Sequence, residues 1–177
     1  MTEGKVTTIF RNKWLSVRSV QVGEDTFVYG WKDRSNGHDV AVLPFRKVRH
    51  GIYEFLLRNE LTPSWPPLGQ TKISSVTGAI EKDKQPHEMA VIELKEETGY
   101  EVSENELIPV GTIFESKAMG TTYHCFLVDL TDKEQGEKEP DGGLEKQESC
   151  FWTQDVSGAA DPLVYVLYYR FQNHLKM

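Results

Sequence analysis

Residues 78–100 read GAIEKDKQPHEMAVIELKEETGY. From Gln85 to Thr98 this is the clearest helix of the chain. Pro86 stands in the first turn, where a missing N–H leaves no helical hydrogen bond unmade. Met89, Ala90 and Leu94, with Ile92 beside them, form an apolar stripe. Gly99 is a stop signal, since glycine takes the left-handed conformation that ends helices. Glu93, Glu96 and Glu97 stand at i, i+3 and i+4 and therefore share one face. Three like charges there repel one another, and a hard cation with a preference for oxygen ligands removes that cost. A solvated acidic face is the competing reading and, for a glutamate cluster taken alone, the commoner one.

The spacing around the cluster shifts the balance. The stretch resembles the Nudix box: Gly, five residues, Glu, seven residues, Arg-Glu, an aliphatic residue, any residue, Glu-Glu, any residue, Gly and an apolar residue. Gly78, Glu93, Leu94, Glu96, Glu97 and Gly99 fall on their positions, and Tyr100 fits the last one loosely. At average residue frequencies, six such matches arise by chance in on the order of one in 10⁴ to 10⁵ sequences, so the resemblance outweighs the solvated-face reading. Two positions depart: Lys84 stands where the pattern has Glu, and Ile92 where it has Arg. In the family that Arg helps to orient the neighbouring catalytic glutamate. Because an acid and a base are lost together, one missing ion pair accounts for both changes, and a domain that binds nucleotide without turnover is the alternative they raise.

Outward from the box, the first half reads as β. Val6–Phe10, Trp14–Val22 and Thr26–Trp31 are rich in β-branched and aromatic residues and are separated by turn residues such as Gly23-Glu24-Asp25. Asp39–Phe45, DVAVLPF, is nearly all apolar, as expected of a strand covered on both faces. Ile52–Asn59 is the next strand. Leu61–Gln70, LTPSWPPLGQ, contains three prolines and reads as a loop carrying Trp65. After the box helix, Leu107–Phe114, Thr122–Leu130 and Ser149–Trp152 read as strands. Asp132–Glu148 is a charged, glycine-containing loop, and Asp161-Pro162 opens a final helix.

The strand, turn, strand ending in Arg58, Pro-rich loop and box resemble the order in ADP-ribose pyrophosphatase-type Nudix members, and Lys5–Trp31 resembles their extra N-terminal sheet. The resemblance implies an α/β (α+β) fold, an α/β/α sandwich with a mixed central sheet and an N-terminal β extension. It implies one domain over 1–177, with 1–36 as the extension and 37–177 as the core, and a homodimer. It implies hydrolysis of the pyrophosphate of a nucleoside diphosphate derivative, ADP-ribose or a nucleotide sugar, with Mg²⁺ or Mn²⁺ as cofactor; nucleoside triphosphates are an alternative substrate class. The metal ligands would be Glu93, Glu96, Glu97 and the backbone carbonyl of Thr77, beside the box glycine Gly78. The general base would be a box glutamate or an acid of the later loop, Glu145 or Glu148. Arg58 has the two-pronged geometry for a phosphate or a carboxylate. Trp65 offers a face for a base or sugar, with loop anchoring as its plainer role.

Composition agrees with that picture. The 177 residues carry 27 acidic and 20 basic side chains, a formal charge of −7. A protein that grips nucleic acid by its phosphates, or docks on an anionic membrane, needs the opposite balance. Hydrophobic residues make up 38% of the chain, enough for a packed core. Cys125 and Cys150 form no disulfide framework and no zinc motif. None of the five histidines has a partner at metal spacing in the sequence. With no apolar leader and no long apolar run, the expected compartment is the cytoplasm, and the expected partner is a small nucleotide.

Overall fold

A computed structural model describes residues 4–67, 69–139 and 148–176. Ten strands and two helices follow one another as β1 (Val6–Arg11), β2 (Leu15–Val22), β3 (Asp25–Lys32), β4 (His38–Arg49), β5 (Ile52–Leu61), β6 (Thr71–Ser74), β7 (Val76–Ala79), α1 (Pro86–Thr98), β8 (Leu107–Ser116), β9 (Met119–Asp129), β10 (Ser149–Thr153) and α2 (Pro162–His174). The strands form one mixed sheet with the path β1-β2-β3-β9-β4-β5-β10, and β6, β7 and β8 pair with β5, β4 and β9. β4 lies parallel to β9, while β5 and β7 run antiparallel to it.

β4 explains why its sequence is apolar throughout. Val40 and Val42 pack into the cluster beneath α1 with Met89, Ala90, Leu94 and Phe126. Ala41, Leu43 and Phe45 point the other way, into the cluster beneath α2 with Val164, Leu167 and Phe171. Alternate residues of a strand face opposite sides, so a strand with a helix over each face needs apolar residues at every position. The central strand direction is thus sandwiched between two helical layers.

Two short strands, β6 and β7, were not expected from the sequence. They flank Ser75, and each finds an edge: β6 on β5, β7 on β4. The N-terminal strands leave Val6, Ile9, Phe10, Phe27 and Val28 exposed. Among the described residues no helix is long and apolar enough to cross a membrane.

Candidate active site

The box helix begins and ends as its residues dictate. Gln85 caps it, with the Glu88 carboxylate accepting the Gln85 N–H at 2.7 Å, a reciprocal arrangement that satisfies otherwise orphaned donors. Gly99, at φ 79°, donates its N–H to the Lys95 carbonyl at 2.8 Å. With the ends fixed, Glu93 and Glu97 fall one turn apart on the face toward β7. Glu93 packs directly on Gly78: a Cβ built at Gly78 would overlap the Glu93 carboxylate. Any larger residue at this position would have to displace the Glu93 side chain.

Glu97 is 7% exposed. One carboxylate oxygen, Oε2, accepts the Thr77 N–H at 3.3 Å, and the other, Oε1, lies 2.5 Å from Arg58 Nη1. Arg58, on β5, is 2% exposed. It donates through Nη2 to Glu148, and its Nη1 is 4.0 Å from Glu60. The Nη1 contacts are ion pairs without hydrogen-bond alignment, so Nη1 and Nε have no hydrogen-bond acceptor among the described residues. Of the two kinds of partner open to it in the sequence, Arg58 takes carboxylates among the described residues. Burial lowers its pKa and the three surrounding glutamates raise it, with a net upward result, so it stays charged. Burial pushes the Glu97 carboxyl well up; Arg58 opposes this, and Glu93 and Glu60 add to it.

These groups border a cavity of about 240 Å³ lined by Arg34, Arg58, Glu60, Thr77, Gly78, Glu93, Glu97 and Glu148. Of the box glutamates, Glu93 and Glu97 line it; Glu96 is half-buried and does not. Both Glu148 oxygens are engaged, by Arg58 and by the Leu61 N–H at 3.2 Å. Glu145 lies outside the described residues. Glu60 and Arg34 were not singled out in the sequence. Glu60 was within reach there, because it stands two residues from Arg58 on one strand and so shares its face.

Four carboxylates against two arginines make an oxygen-rich, electronegative pocket, whose donor chemistry suits a hard divalent cation. Among the described residues no three His, Cys, Asp or Glu side chains stand in a finished metal-ligating arrangement. Ile92 packs against the apolar cluster under α1, while Lys84 lines a cavity beyond the helix N-terminus. The two residues occupy unrelated surfaces, so their departures from the box are not one missing ion pair.

Two further cavities adjoin the site. One, of about 510 Å³, lies beyond the α1 N-terminus and shares Arg34 with the carboxylate cavity. In it the parallel register of β4 and β9 brings His38 Nδ1 to 3.2 Å from His124 Nε2, a pairing across 86 residues that no local spacing reveals. The other, of about 440 Å³, shares Glu60, Thr77 and Gly78 with the carboxylate cavity and is bordered by half-buried Trp65. There Lys32 Nζ contacts Asp39 Oδ2 at 2.8 Å, the Tyr123 hydroxyl at 3.0 Å and Glu115 Oε2 at 3.1 Å. Burial pushes the Tyr123 hydroxyl up to about 12 despite the neighbouring ammonium.

No protein-family model and no curated protein sequence matches the chain. A crystal structure of an ADP compounds hydrolase matches it with a TM-score of 0.71, covering 99% of this chain and 94% of that one, at 17% sequence identity. At that identity the likeness is one of fold: the curled mixed sheet with its two helices is the Nudix fold of that neighbour.

Proposed function

We propose that the chain is a metal-dependent Nudix pyrophosphohydrolase acting on a nucleoside diphosphate derivative, ADP-ribose or a nucleotide sugar. The observation that carries this reading is the gathering of Glu93 and Glu97 from the box helix with Glu60 and Glu148 in one cavity, three of the four paired with the buried Arg58, and Gly78 lining the same cavity against Glu93. Glu93, Glu97 and the Thr77 carbonyl would hold Mg²⁺ or Mn²⁺; Glu96, on the same helix but outside the cavity lining, is the further ligand that the box resemblance implies. A divalent ion bound there supplies the positive charge that the diphosphate oxygens need as water attacks phosphorus.

The chain's own residues do the rest. Arg58 fixes Glu97 from β5, the service that the box position occupied by Ile92 does not provide. Both Glu148 oxygens are engaged, so Glu148 holds Arg58, and the proton of the attacking water would pass to a box glutamate that lines the cavity, Glu93. This favours turnover over the alternative of nucleotide binding alone. The same reading takes 1–177 as one domain with 1–36 as its strand extension. It takes a second copy of the chain as the partner of the exposed apolar residues on β1–β3.

The test is hydrolysis in Mg²⁺ or Mn²⁺ of a panel containing ADP-ribose, sugar nucleotides, dinucleotides and nucleoside triphosphates. Release of AMP from ADP-ribose is expected. Release of pyrophosphate from triphosphates alone would move the substrate class. Tight binding without turnover of any compound would replace the enzyme with a binding domain.

A further inference from the structure

The cavity of about 440 Å³ beside the carboxylate cluster holds an unusual set of oxygens. Asp39 Oδ1, Thr62 Oγ1 and Ser74 Oγ are buried and have no hydrogen-bond partner among the described residues. Their residues are 5%, 8% and 2% exposed, and all three line this one cavity. They come from β4, from the loop after β5 and from β6. A buried oxygen left without a partner costs about 1–3 kcal/mol, and native structures satisfy nearly all such groups. Three in one place, brought from three elements, mark a surface shaped for a ligand's polar groups.

The chemistry of the set narrows the ligand. Asp39 Oδ2 is taken by Lys32, which leaves Oδ1 as an acceptor. The Thr62 and Ser74 hydroxyls both donate and accept. A partner for all three must carry a donor for Asp39 Oδ1, and one with acceptors too, as sugar hydroxyls have, meets both capacities of the two hydroxyls; a phosphate dianion has acceptors only. Charge points the same way. Asp39, Glu60 and Glu115 border the cavity and Lys32 is its one cation among the lining residues, already contacting two of those acids. A further phosphate would be repelled. Trp65 at the border supplies a flat apolar face of the kind that packs on a sugar ring.

We propose that this cavity is the subsite for the sugar half of the substrate, with Asp39, Thr62 and Ser74 reading its hydroxyls. It makes the protein select a diphosphate capped by a neutral hydroxylated ring over one capped by another phosphate. The proposal rests on the pyrophosphohydrolase reading and adds to it the direction in which the substrate lies: diphosphate over Gly78 and Thr77, sugar toward Ser74 and Thr62.

Thr62→Val and Ser74→Ala in the full chain test it, since each removes one hydroxyl with little change of shape. In Mg²⁺, each is expected to lower the ratio of kcat/KM for ADP-ribose over that for ATP by about tenfold or more, chiefly through KM. A calorimetric titration without divalent ion compares ADP-ribose with ADP. The intact chain is expected to prefer ADP-ribose, and both variants to lose the preference. If no compound is hydrolysed but that preference and its loss are seen, the subsite stands and the hydrolytic reading falls. If ADP-ribose is hydrolysed and both ratios are unmoved in both variants, the subsite is overturned and the hydrolytic reading stands. Equal binding of ADP-ribose and ADP by the intact chain would also overturn it.

Discussion

Arg58 Nη1 stands 2.5 Å from Glu97 Oε1, and the two side chains are 2% and 6% exposed. Glu148 closes on the same guanidinium from the start of β10. One cation thereby joins β5, the box helix and the strand that follows the acidic loop. Removing it strands two buried carboxylates. Arg58→Met is expected to cost about 3–5 kcal/mol in urea denaturation, the usual penalty for breaking one side of a buried pair. Arg58→Lys should cost less, because it keeps the charge while losing the fork that spans two acids. Combining Arg58→Met with Glu97→Gln should cost less than the sum of the two, since the charge left behind is also removed. Strict additivity would mean that the contact carries no energy.

Gly78 and Glu93 compete for one volume. Gly78→Ala must push the Glu93 carboxylate away from the cavity it lines. Displacing a reacting group by about 1 Å costs on the order of 10²-fold in rate, while overpacking costs about 1–3 kcal/mol. The expected result is therefore an enzyme that folds and turns over ADP-ribose on the order of 10²-fold more slowly. Steady-state kinetics beside a urea curve separate the two effects. Unchanged kcat would show that Glu93 does not work from this position.

Glu93→Gln asks the same question without changing shape. An acid that takes a proton in the rate-determining step contributes about 10²–10⁴-fold, and a loss of kcat in that range is expected, with the melting temperature nearly unchanged. Calorimetric titration of Mn²⁺ into the protein supplies a second reading. Weaker binding in the variant supports Glu93 as a ligand, and unaltered binding with lost kcat confines it to proton transfer.

The His38–His124 pair predicts a pH dependence. Burial first, then His38 and His87, hold the His124 imidazole below its ordinary 6.5. The unfolded chain therefore takes up this proton at a higher pH than the folded one. The contribution to stability is present above 6.5 and is lost as pH falls from 6.5 through the lower folded value, with no further change beneath it. Urea midpoints measured between about pH 8 and 5 should fall more steeply for the intact chain than for His124→Gln. Identical slopes would remove His124 from the acid response.

What the sequence disclosed, and what it hid, divides by distance along the chain. The box helix was legible because its signals are local: Pro86 at the start, Gly99 at the end, and Glu93 and Glu97 one turn apart. β4 was legible because burial on both faces leaves an apolar run with no alternation. β6 and β7 were not, because TKIS and VTGA are four-residue strands with no pattern of their own, extended by the edges of β5 and β4. Arg58 was noticed for its chemistry, yet its partners depend on register: β10 pairs with β5, which sets Glu148 beside it from 90 residues away. The three unpartnered oxygens come from positions 39, 62 and 74, and nothing in the residues themselves marks them as neighbours.

Asp161 shows how that hidden geometry is held. It is 4% exposed and caps α2 through Oδ1, which accepts the Leu163 N–H at 2.9 Å. Its Oδ2 accepts both the Ser75 hydroxyl at 2.6 Å and the Ser75 N–H at 3.2 Å. Ser75, fully buried, is the hinge between β6 and β7. On one side of it Ser74 faces the larger cavity, and on the other Thr77 and Gly78 border both. Asp161→Ala loses a helix cap, worth about 1 kcal/mol, and orphans two buried donors at about 1–3 kcal/mol each. A loss of about 3–7 kcal/mol in urea denaturation is expected. Asp161→Asn keeps the cap oxygen but sets an amide N–H₂ against the Ser75 N–H, and should fall between the two. At a temperature where the variants remain folded, KM for ADP-ribose should rise in the same order, because the two strands that carry Ser74 and Thr77 have lost their shared anchor at Ser75. Stability loss with unchanged KM would confine Asp161 to the cap.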